Sequence, residues 1–192
     1  MKNEQIRLSD FSEPSEIVVQ LARMLPSGGT VIDLGAGQGR NALYLASKGF
    51  DVTAVEREDS EVEILSTKNK KAKRKINIVQ ADIHDFVPDK QYDAVISNTV
   101  LHFFTSEEVA ASIRKMKQAT KQKGYNLVTA YSDKNPLGKR PYLFKHNELL
   151  GFYKDWEIVV YEEKPTPWFI HPIGTKPRRN HAAYIIAKKP LR

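Results

Sequence analysis

Residues 30–41 decide the fold, and they read Thr30-Val31-Ile32-Asp33-Leu34-Gly35-Ala36-Gly37-Gln38-Gly39-Arg40-Asn41. The first five residues are mostly apolar, which predicts a short strand buried in a sheet. Glycines then occupy alternate positions, and residues 40–48 carry the pattern of a helix. Because glycine has no Cβ, a ligand can approach the backbone closely, and the N-terminus of the next helix points at the same place. The stretch therefore predicts a ligand site at the carboxyl end of the first strand.

Strands and helices alternate along the rest of the chain. Ser12 is the expected N-cap of the first helix, and capping boxes are predicted at Ser60 and Thr105, each with a Glu three residues later. The rhythm indicates a seven-stranded, mostly parallel sheet with helices on both faces and an antiparallel C-terminal strand. Besides residues 30–34, strands are predicted at 51–56, 76–80, 92–97, 125–131, 156–163 and 182–188, and helices at 12–25, 40–48, 60–74, 146–153 and after Thr105.

The composition limits the possible structures and functions. A chain of 192 residues, 41% of them hydrophobic, is long enough to form one domain with its own core. The absence of cysteine excludes disulfides, thiolate catalysis and cysteine-bound metal centres, and the five histidines show no metal-ligand spacing. No apolar run reaches the roughly 18 residues of a membrane span, and no signal peptide begins the chain. We therefore expect a cytoplasmic monomer or homodimer with no metal and no membrane contact.

A basic run at residues 68–75 carries most of the net charge. Without its six Lys and Arg residues the formal charge of +7 would fall to +1. Runs of this kind steer nucleic acid in some proteins. This one also ends a predicted helix that acidic residues begin, which suits the helix dipole. We favour the helix-end interpretation, so nucleic acid is not an expected partner.

The spacing of the glycines narrows the choice of ligand. A dinucleotide-binding loop reads G-x-G-x-x-G, but here Gly39 comes one residue early and Arg40 takes the place of the third glycine. A P-loop would need Gly-Lys-Ser/Thr, which is absent. The G-x-G-x-G spacing of Gly35, Gly37 and Gly39, with Asp33 two residues before it, resembles motif I of class I S-adenosylmethionine (SAM)-dependent methyltransferases.

This resemblance implies a Rossmann-like class I methyltransferase fold with SAM as the cofactor. It implies that Glu56, at the end of the second strand, binds the two ribose hydroxyls. Asp82 and Ile83 follow the third strand, where this class holds the adenine, and Asn98 follows the fourth strand near the methionine end. The expected cofactor-binding residues are Asp33, Gly35, Ala36, Gly37, Arg40, Asn41, Glu56, Arg57, Asp82, Ile83 and Asn98.

Four segments resemble more closely the tellurite-resistance methyltransferases of the TehB type. Residues 37–46 resemble that family's G-x-G-R-N-S-L-Y-L run, and residues 123–128 its G-G-Y-N-L-I strand entry. Residues 141–157 resemble a segment that begins P-F-x-F-K and ends x-W-E, and residues 183–189 resemble A-T-M-L-A-R-K-K. The resemblance extends from about residue 15 to the C-terminus.

The family resemblance implies a small-molecule methyl acceptor, with tellurium and selenium oxyanions as candidates. Methyl transfer from a sulfonium is an in-line displacement that depends mainly on orientation, and an oxyanion acceptor would need cationic groups to bind it. The family has a His-Arg pair and a further Arg between its last two strands, and residues 168–179 contain the same residue types at another spacing. The expected catalytic residues are His102, His171, Arg178 and Arg179, with Arg40 as a further cation.

We expect one methyltransferase domain over residues 1–192. Its parts would be an N-terminal helical cap (1–26), a cofactor-binding core (30–131) and a substrate-side part (132–192) with a loop, a helix and two strands. Two other functions stay open, an RNA methyltransferase and a SAM-binding module without catalysis. Steep salt dependence of RNA binding would indicate the first, and SAM binding without turnover the second.

Overall fold

The structure is a computed structural model that describes residues 13–136, 140–170 and 177–191. Seven of its strands form one sheet in the order β3-β2-β1-β4-β5-β9-β6, and β7 pairs with β8 in a separate two-stranded ribbon. In chain order the strands are β1 (Thr30–Leu34), β2 (Asp51–Glu56), β3 (Asn77–Gln80), β4 (Tyr92–Asn98), β5 (Thr120–Tyr131), β6 (Glu157–Pro165), β7 (Phe169–Ile170), β8 (Pro177–Arg178) and β9 (His181–Lys188).

The strand directions confirm the predicted sheet. β1 to β5 run parallel, and β9 lies antiparallel between β5 and β6. β1 and β2 have the predicted bounds, whereas β5 begins at Thr120, five residues before its expected start. The pairing of β4 with β5 shifts register just after Tyr92, so the first part of β5 is an irregular extension that hydrophobic alternation does not predict.

The helices follow the predicted order with different ends. They are α1 (Glu16–Ala22), α2 (Arg40–Ser47), α3 (Asp59–Lys71), α4 (Ser106–Gln118) and α5 (Glu148–Gly151), with a short 3-10 helix at Leu101–Phe103 that was not predicted. The capping box at Thr105 is confirmed, because Thr105 and Glu108 exchange hydrogen bonds between side chain and amide at 2.7 and 3.4 Å.

Two predicted N-caps are wrong. Ser15 occupies the N-cap position of α1, with no capping hydrogen bond from its side chain, and Ser12 lies outside the described residues. The amide of Ser15 donates to Oδ1 of Asn41 at 3.0 Å, so Asn41, a predicted site residue, connects α1 to α2. α3 begins at Asp59, which leaves Ser60 inside the helix. The Glu56 carboxylate accepts hydrogen bonds from the amides of the next two residues. These contacts fix the turn after β2, so the helix begins one residue earlier than predicted.

The core has two layers, one on each face of the sheet. Successive strand residues point to opposite faces, so Val31 and Ile32 of β1 belong to different layers. The face that carries Val31, called the first face below, packs against α1, α2 and α3. The opposite face packs against α4 and α5. No helix among the described residues combines the length and apolarity needed to cross a bilayer.

Part of the basic run has a structural role at the end of α3. The ammonium group of Lys75 donates to the carbonyl oxygens of Asn69, Lys70 and Ala72, at 2.9, 2.6 and 2.8 Å. Carbonyl groups at this end of a helix lack a full set of helical partners, and a cation there is stabilised by the helix dipole. This contact agrees with the interpretation of the basic run as the end of a helix.

Candidate functional site

The loop between β1 and α2 is bound to the end of β2. The amides of Gly35 and Ala36 both donate to the carbonyl oxygen of Val55, at 2.9 and 3.0 Å. The amide of Gly37 donates to Oε2 of Glu56 at 2.8 Å. Three predicted loop residues therefore lie at the end of β2, whose Glu56 carboxylate the resemblance assigns to a ribose diol.

Two glycines of this loop are required by their surroundings. Gly35 and Gly39 have φ angles of +76° and +79°, in the left-handed region that other residues rarely adopt. A Cβ on Gly35 would lie 2.5 Å from Cγ2 of Val100, and a Cβ on Gly39 would lie 2.1 Å from Cδ1 of Leu65. The loop is therefore packed between α3 and the segment after β4, which fixes its path past the strand ends.

The carboxylate of Glu56 is fixed on both oxygens. The side chain is buried at the end of β2, and while Oε2 accepts from Gly37, Oε1 accepts from the amides of Arg57 and Glu58 at 2.8 and 3.1 Å. The two amides use both lone pairs of Oε1, whereas Oε2 accepts only one hydrogen bond, so these contacts orient the group and leave acceptor capacity on Oε2.

A row of polar side chains crosses the first face at the carboxyl ends of β1, β4 and β5. Asp33 lies two residues beyond Val31, Asn98 pairs with Thr129, and Tyr131 ends β5 two residues later. Within the described part of the chain, Oδ2 of Asp33, Oδ1 of Asn98 and Oγ1 of Thr129 are buried without a hydrogen-bond partner. Buried polar atoms are nearly always paired, so this row fits a ligand that brings donors or positive charge.

Asp33, Arg40 and Glu56 interact electrostatically. Burial raises the pKa of Asp33 to about 7; the positive charge of Arg40 opposes the rise and the negative charge of Glu56 adds to it. Burial lowers the pKa of Arg40, and the nearby Asp33 and Tyr131 counteract that effect. Asp33 is thus linked electrostatically both to Arg40, the first residue of α2, and to Glu56.

The predicted adenine side lies at the end of β3. Nη1 of Arg57 contacts Oδ2 of Asp82 at 3.1 Å, and the amide of His84 donates to Oδ1 of Asp82 at 2.9 Å. The His84 amide and the Arg57 guanidinium lower the pKa of Asp82 against the opposing effect of burial. Ile83 lies against the glycine loop, with Cδ1 3.4 Å from where a Cβ on Gly35 would be.

His102 is buried beside the end of β5. Its ring stacks on Tyr131 with the centroids 4.0 Å apart and the planes 21° from parallel. Burial lowers the pKa of His102 to about 3, and the positive charge of Arg140 adds to the effect. The imidazole is therefore neutral near pH 7, which corrects the expectation that His102 supplies a cation.

Of the two predicted arginines, Arg178 belongs to the ribbon of β7 and β8, and Arg179 directly follows it. Arg178 pairs with Phe169, and the guanidinium of Arg179 lies 4.9 Å from the centre of the Trp168 ring. Both arginines are exposed. The remaining predicted catalytic residue, His171, lies outside the described residues.

Asn180 fastens this ribbon to the sheet. Its Nδ2 donates to the hydroxyl of Tyr131 at 2.6 Å. Its backbone amide donates to Oγ1 of Thr166, and the amide of Thr166 donates to its carbonyl oxygen, both at 2.9 Å. The two ends of the connection between β6 and β9 therefore meet at the row of polar residues on the first face.

Sequence reasoning does not select Tyr131, Arg140 or Asn180 for the site. It favours a core position for Tyr131, because aromatic residues in strands usually pack there. A signal is present in the alternation of β5, where Thr129 and Tyr131 share a face at the strand end. No pattern indicates Asn180, because its contact joins residues 49 positions apart in the chain.

Comparison with solved structures defines the class of this fold. The chain superposes on a SAM-dependent methyltransferase from Methanosarcina mazei with a TM-score of 0.73 at 17% identity, covering 94% of this chain and all of that one. It superposes on the crystal structure of TehB from Haemophilus influenzae with a TM-score of 0.82 at 32% identity, covering 91% of this chain and 62% of that one. The fold is the class I methyltransferase fold.

The family follows from the sequence comparisons. Residues 11–168 match the family described as tellurite resistance protein TehB. A relative from Haemophilus influenzae, named probable S-adenosyl-L-methionine-dependent methyltransferase TehB, is 36% identical over 150 residues, which are 76% of this chain and 52% of the relative. The chain belongs to the TehB family, and it spans about half the length of the curated relatives it matches.

Proposed function

We propose that the chain is a SAM-dependent methyltransferase that acts on a small molecule. The observation that carries the proposal is the pair of buried, unpartnered acceptor atoms on Asp33 and Asn98 within the described residues, next to the glycine loop and Glu56. SAM brings a ribose diol, an ammonium group and a sulfonium, which are donors and positive charges. A site of fixed acceptors fits such a molecule, and the names of the family's relatives support the same cofactor.

In this proposal Glu56, Asp82, Ile83 and Asn98 keep the roles that the resemblance implied, and we assign places to the other predicted residues. Glu56 binds the ribose hydroxyls, and Asp82, Ile83 and Arg57 lie at the adenine side. Asp33 and Asn98 bind the methionine end. Gly35, Ala36 and Gly37 let the cofactor approach the backbone, and Arg40 and Asn41 begin the helix behind them.

The reaction asks the protein mainly to bind and orient the acceptor. SAM supplies a methyl group made electrophilic by a positively charged sulfur. The acceptor uses a lone pair to bond to the methyl carbon while the sulfur–carbon bond breaks, and the released thioether is neutral. Orientation of this kind is worth roughly 7–11 kcal/mol.

An anionic acceptor would need no base, only cations to hold it. Arg40, Arg178 and Arg179 are the described candidates from the predicted set, and His171 belongs to the same proposal. We therefore propose tellurium or selenium oxyanions as the first acceptors to test. Residues 1–192 would form one domain, with the cofactor on residues 30–131 and the acceptor on residues 132–192.

Calorimetric titration with SAM and S-adenosylhomocysteine (SAH), with NAD as the control, tests the cofactor. Turnover with selenite, tellurite, small thiols and amines then tests the acceptor. Micromolar binding of SAM and turnover of an oxyanion would support the whole proposal. SAM binding without turnover on any acceptor would favour a module without catalysis, and the absence of SAM binding would refute the proposal.

Replacing Glu56 tests the ribose assignment. Glu56→Ala removes a fixed carboxylate, so we expect SAM binding to weaken by about 1–3 kcal/mol, the cost of lost charge-assisted hydrogen bonds. Glu63→Ala, an exposed position on α3, is the matched control and should bind SAM like the wild type. Equal SAM affinities for the two variants by calorimetry would contradict the assignment.

A further inference from the structure

Tyr131 occupies a distinct place among the polar residues of the first face. It is the last residue of β5, and it stands beyond Thr129, whose buried Oγ1 has no partner within the described residues. The ring packs against the core of the first face, and its hydroxyl lies where the connection from β6 to β9 returns to the sheet. Tyr131 thus joins the predicted cofactor side to the predicted acceptor side.

Two neighbours hold Tyr131 in one orientation. His102 stacks on the ring at a centroid distance of 4.0 Å. Asn180, itself buried, donates to the phenolic oxygen at 2.6 Å. In the part of the chain that the structure covers, no group accepts the phenolic proton, so the hydroxyl retains a donor for a ligand.

The positive charges of two arginines act on this hydroxyl. Burial raises the pKa of Tyr131 while the charges of Arg140 and Arg40 oppose the rise, and the hydroxyl is protonated at neutral pH. Arg140 is exposed, and its guanidinium lies 5.1 Å from the centre of the Phe103 ring. An anion beside Tyr131 would meet a fixed hydrogen-bond donor within the field of two cations.

We propose that Tyr131 is an acceptor-binding residue, whose hydroxyl donates a hydrogen bond to a small anionic methyl acceptor while His102 and Asn180 position it. The inference rests on the proposed function, because it assigns the acceptor side of that site. The acceptor already carries the negative charge, so its own lone pair forms the new bond and no proton moves. Tyr131 keeps its proton throughout, and neutral His102 contributes its flat ring and no charge.

Binding of an oxyanion to the SAH complex of the full chain tests this role without turnover. Selenite and tellurite are titrated into wild type, Tyr131→Phe and Arg140→Gln, each saturated with SAH. We expect both variants to bind the oxyanion about tenfold more weakly, with unchanged affinity for SAH. Tyr131→Phe keeps the ring that stacks on His102, and Arg140 is exposed, so both variants should fold.

Matched controls separate this role from a general effect. Tyr125→Phe removes a hydroxyl from the same strand and face six residues earlier, and Arg114→Gln removes an exposed charge on α4; both variants should bind the oxyanion like the wild type. In turnover, Tyr131→Phe should raise KM for the oxyanion about tenfold and leave KM for SAM unchanged. Loss of folding alone would not produce this difference.

The possible failures are distinguishable. If the wild-type SAH complex binds neither oxyanion, or if Tyr131→Phe binds it as tightly as the wild type, the role of Tyr131 is refuted while the proposed function stands on its own SAM titration. If the wild type binds neither SAM nor SAH, the proposed function fails and this inference fails with it.

Discussion

Asp33 links the stability of the protein to pH. Its folded pKa of about 7 lies above the ordinary value of 3.8, so the folded protein holds this proton more tightly than the unfolded chain does. The stabilisation of the folded state by protonated Asp33 is fully present below pH 3.8 and is lost as the pH rises to about 7. We expect the unfolding free energy of the wild type, relative to Asp33→Asn, to fall by about 2–4 kcal/mol over that range.

Chemical denaturation of both proteins between about pH 4 and 7 measures this difference. The side-chain amide introduced by Asp33→Asn cannot ionise, so the variant serves as the reference for all other titrating groups. Parallel stability profiles for the two proteins would show that burial does not perturb Asp33. A positively charged ligand that pairs with Asp33 should remove this pH-dependent difference between the two proteins, because it would favour the ionised carboxylate.

Gly39 tests how tightly the glycine loop is packed. Gly39→Ala adds a Cβ 2.1 Å from Cδ1 of buried Leu65, at a φ of +79°. Gly28→Ala meets the same unfavourable φ, +71°, in open space. The backbone penalty of about 1–2 kcal/mol is common to both variants, so we expect Gly39→Ala to cost a further 1–3 kcal/mol or so of unfolding free energy. Equal losses would mean that Leu65 moves aside at no cost.

Among the elements, α3 depends on a lysine beyond its end. Lys75→Met removes the ammonium group that donates to three carbonyl oxygens, and we expect a loss of about 0.5–1.5 kcal/mol of unfolding free energy. Lys73→Met removes an exposed charge from the same basic run and should change stability much less. If the two variants have the same unfolding free energy in urea, the hydrogen bonds of Lys75 do not stabilise the protein.

Element by element, the sequence predicted what local patterns determine. The apolar runs of β1 and β2 give their bounds, and Thr105 with Glu108 gives the start of α4, because each signal lies within a few residues. The predicted N-cap at Ser60 was wrong because the start of α3 depends on Glu56, which belongs to β2. α1 begins later than expected for the same kind of reason, since its N-cap residue is held by Asn41 of α2.

The candidate site shows the same limit. The residues along the glycine loop and the strand ends follow from spacing, because parallel strands bring their carboxyl ends to one edge. The neutral state of His102 depends on burial and on Arg140, and Tyr131 depends on Asn180, which are tertiary effects. The residues proposed for the cofactor therefore follow from local sequence patterns more fully than those proposed for the acceptor.

For the whole molecule, cofactor binding should stabilise the fold by mass action. SAH at about 100 times its dissociation constant adds roughly 2.7 kcal/mol to the unfolding free energy. In a domain of this size that corresponds to a rise of about 5–10 °C in Tm. Thermal unfolding followed by circular dichroism measures the shift. Glu56→Ala should show a smaller rise at the same SAH concentration, and a wild-type Tm that does not respond would contradict binding to the folded state.

The hydrogen-bonded pair of Thr166 and Asn180 gives the molecule a modular boundary. Any sequence between these two residues leaves and re-enters the fold at one fixed point next to Tyr131. Lengthening such a closed segment costs little entropy, because loop closure depends only weakly on length. If the proposed acceptor site lies here, exchange of this segment would alter the acceptor and leave the proposed cofactor edge of the sheet unchanged. A segment grafted between the same two positions is a natural starting point for engineering acceptor specificity.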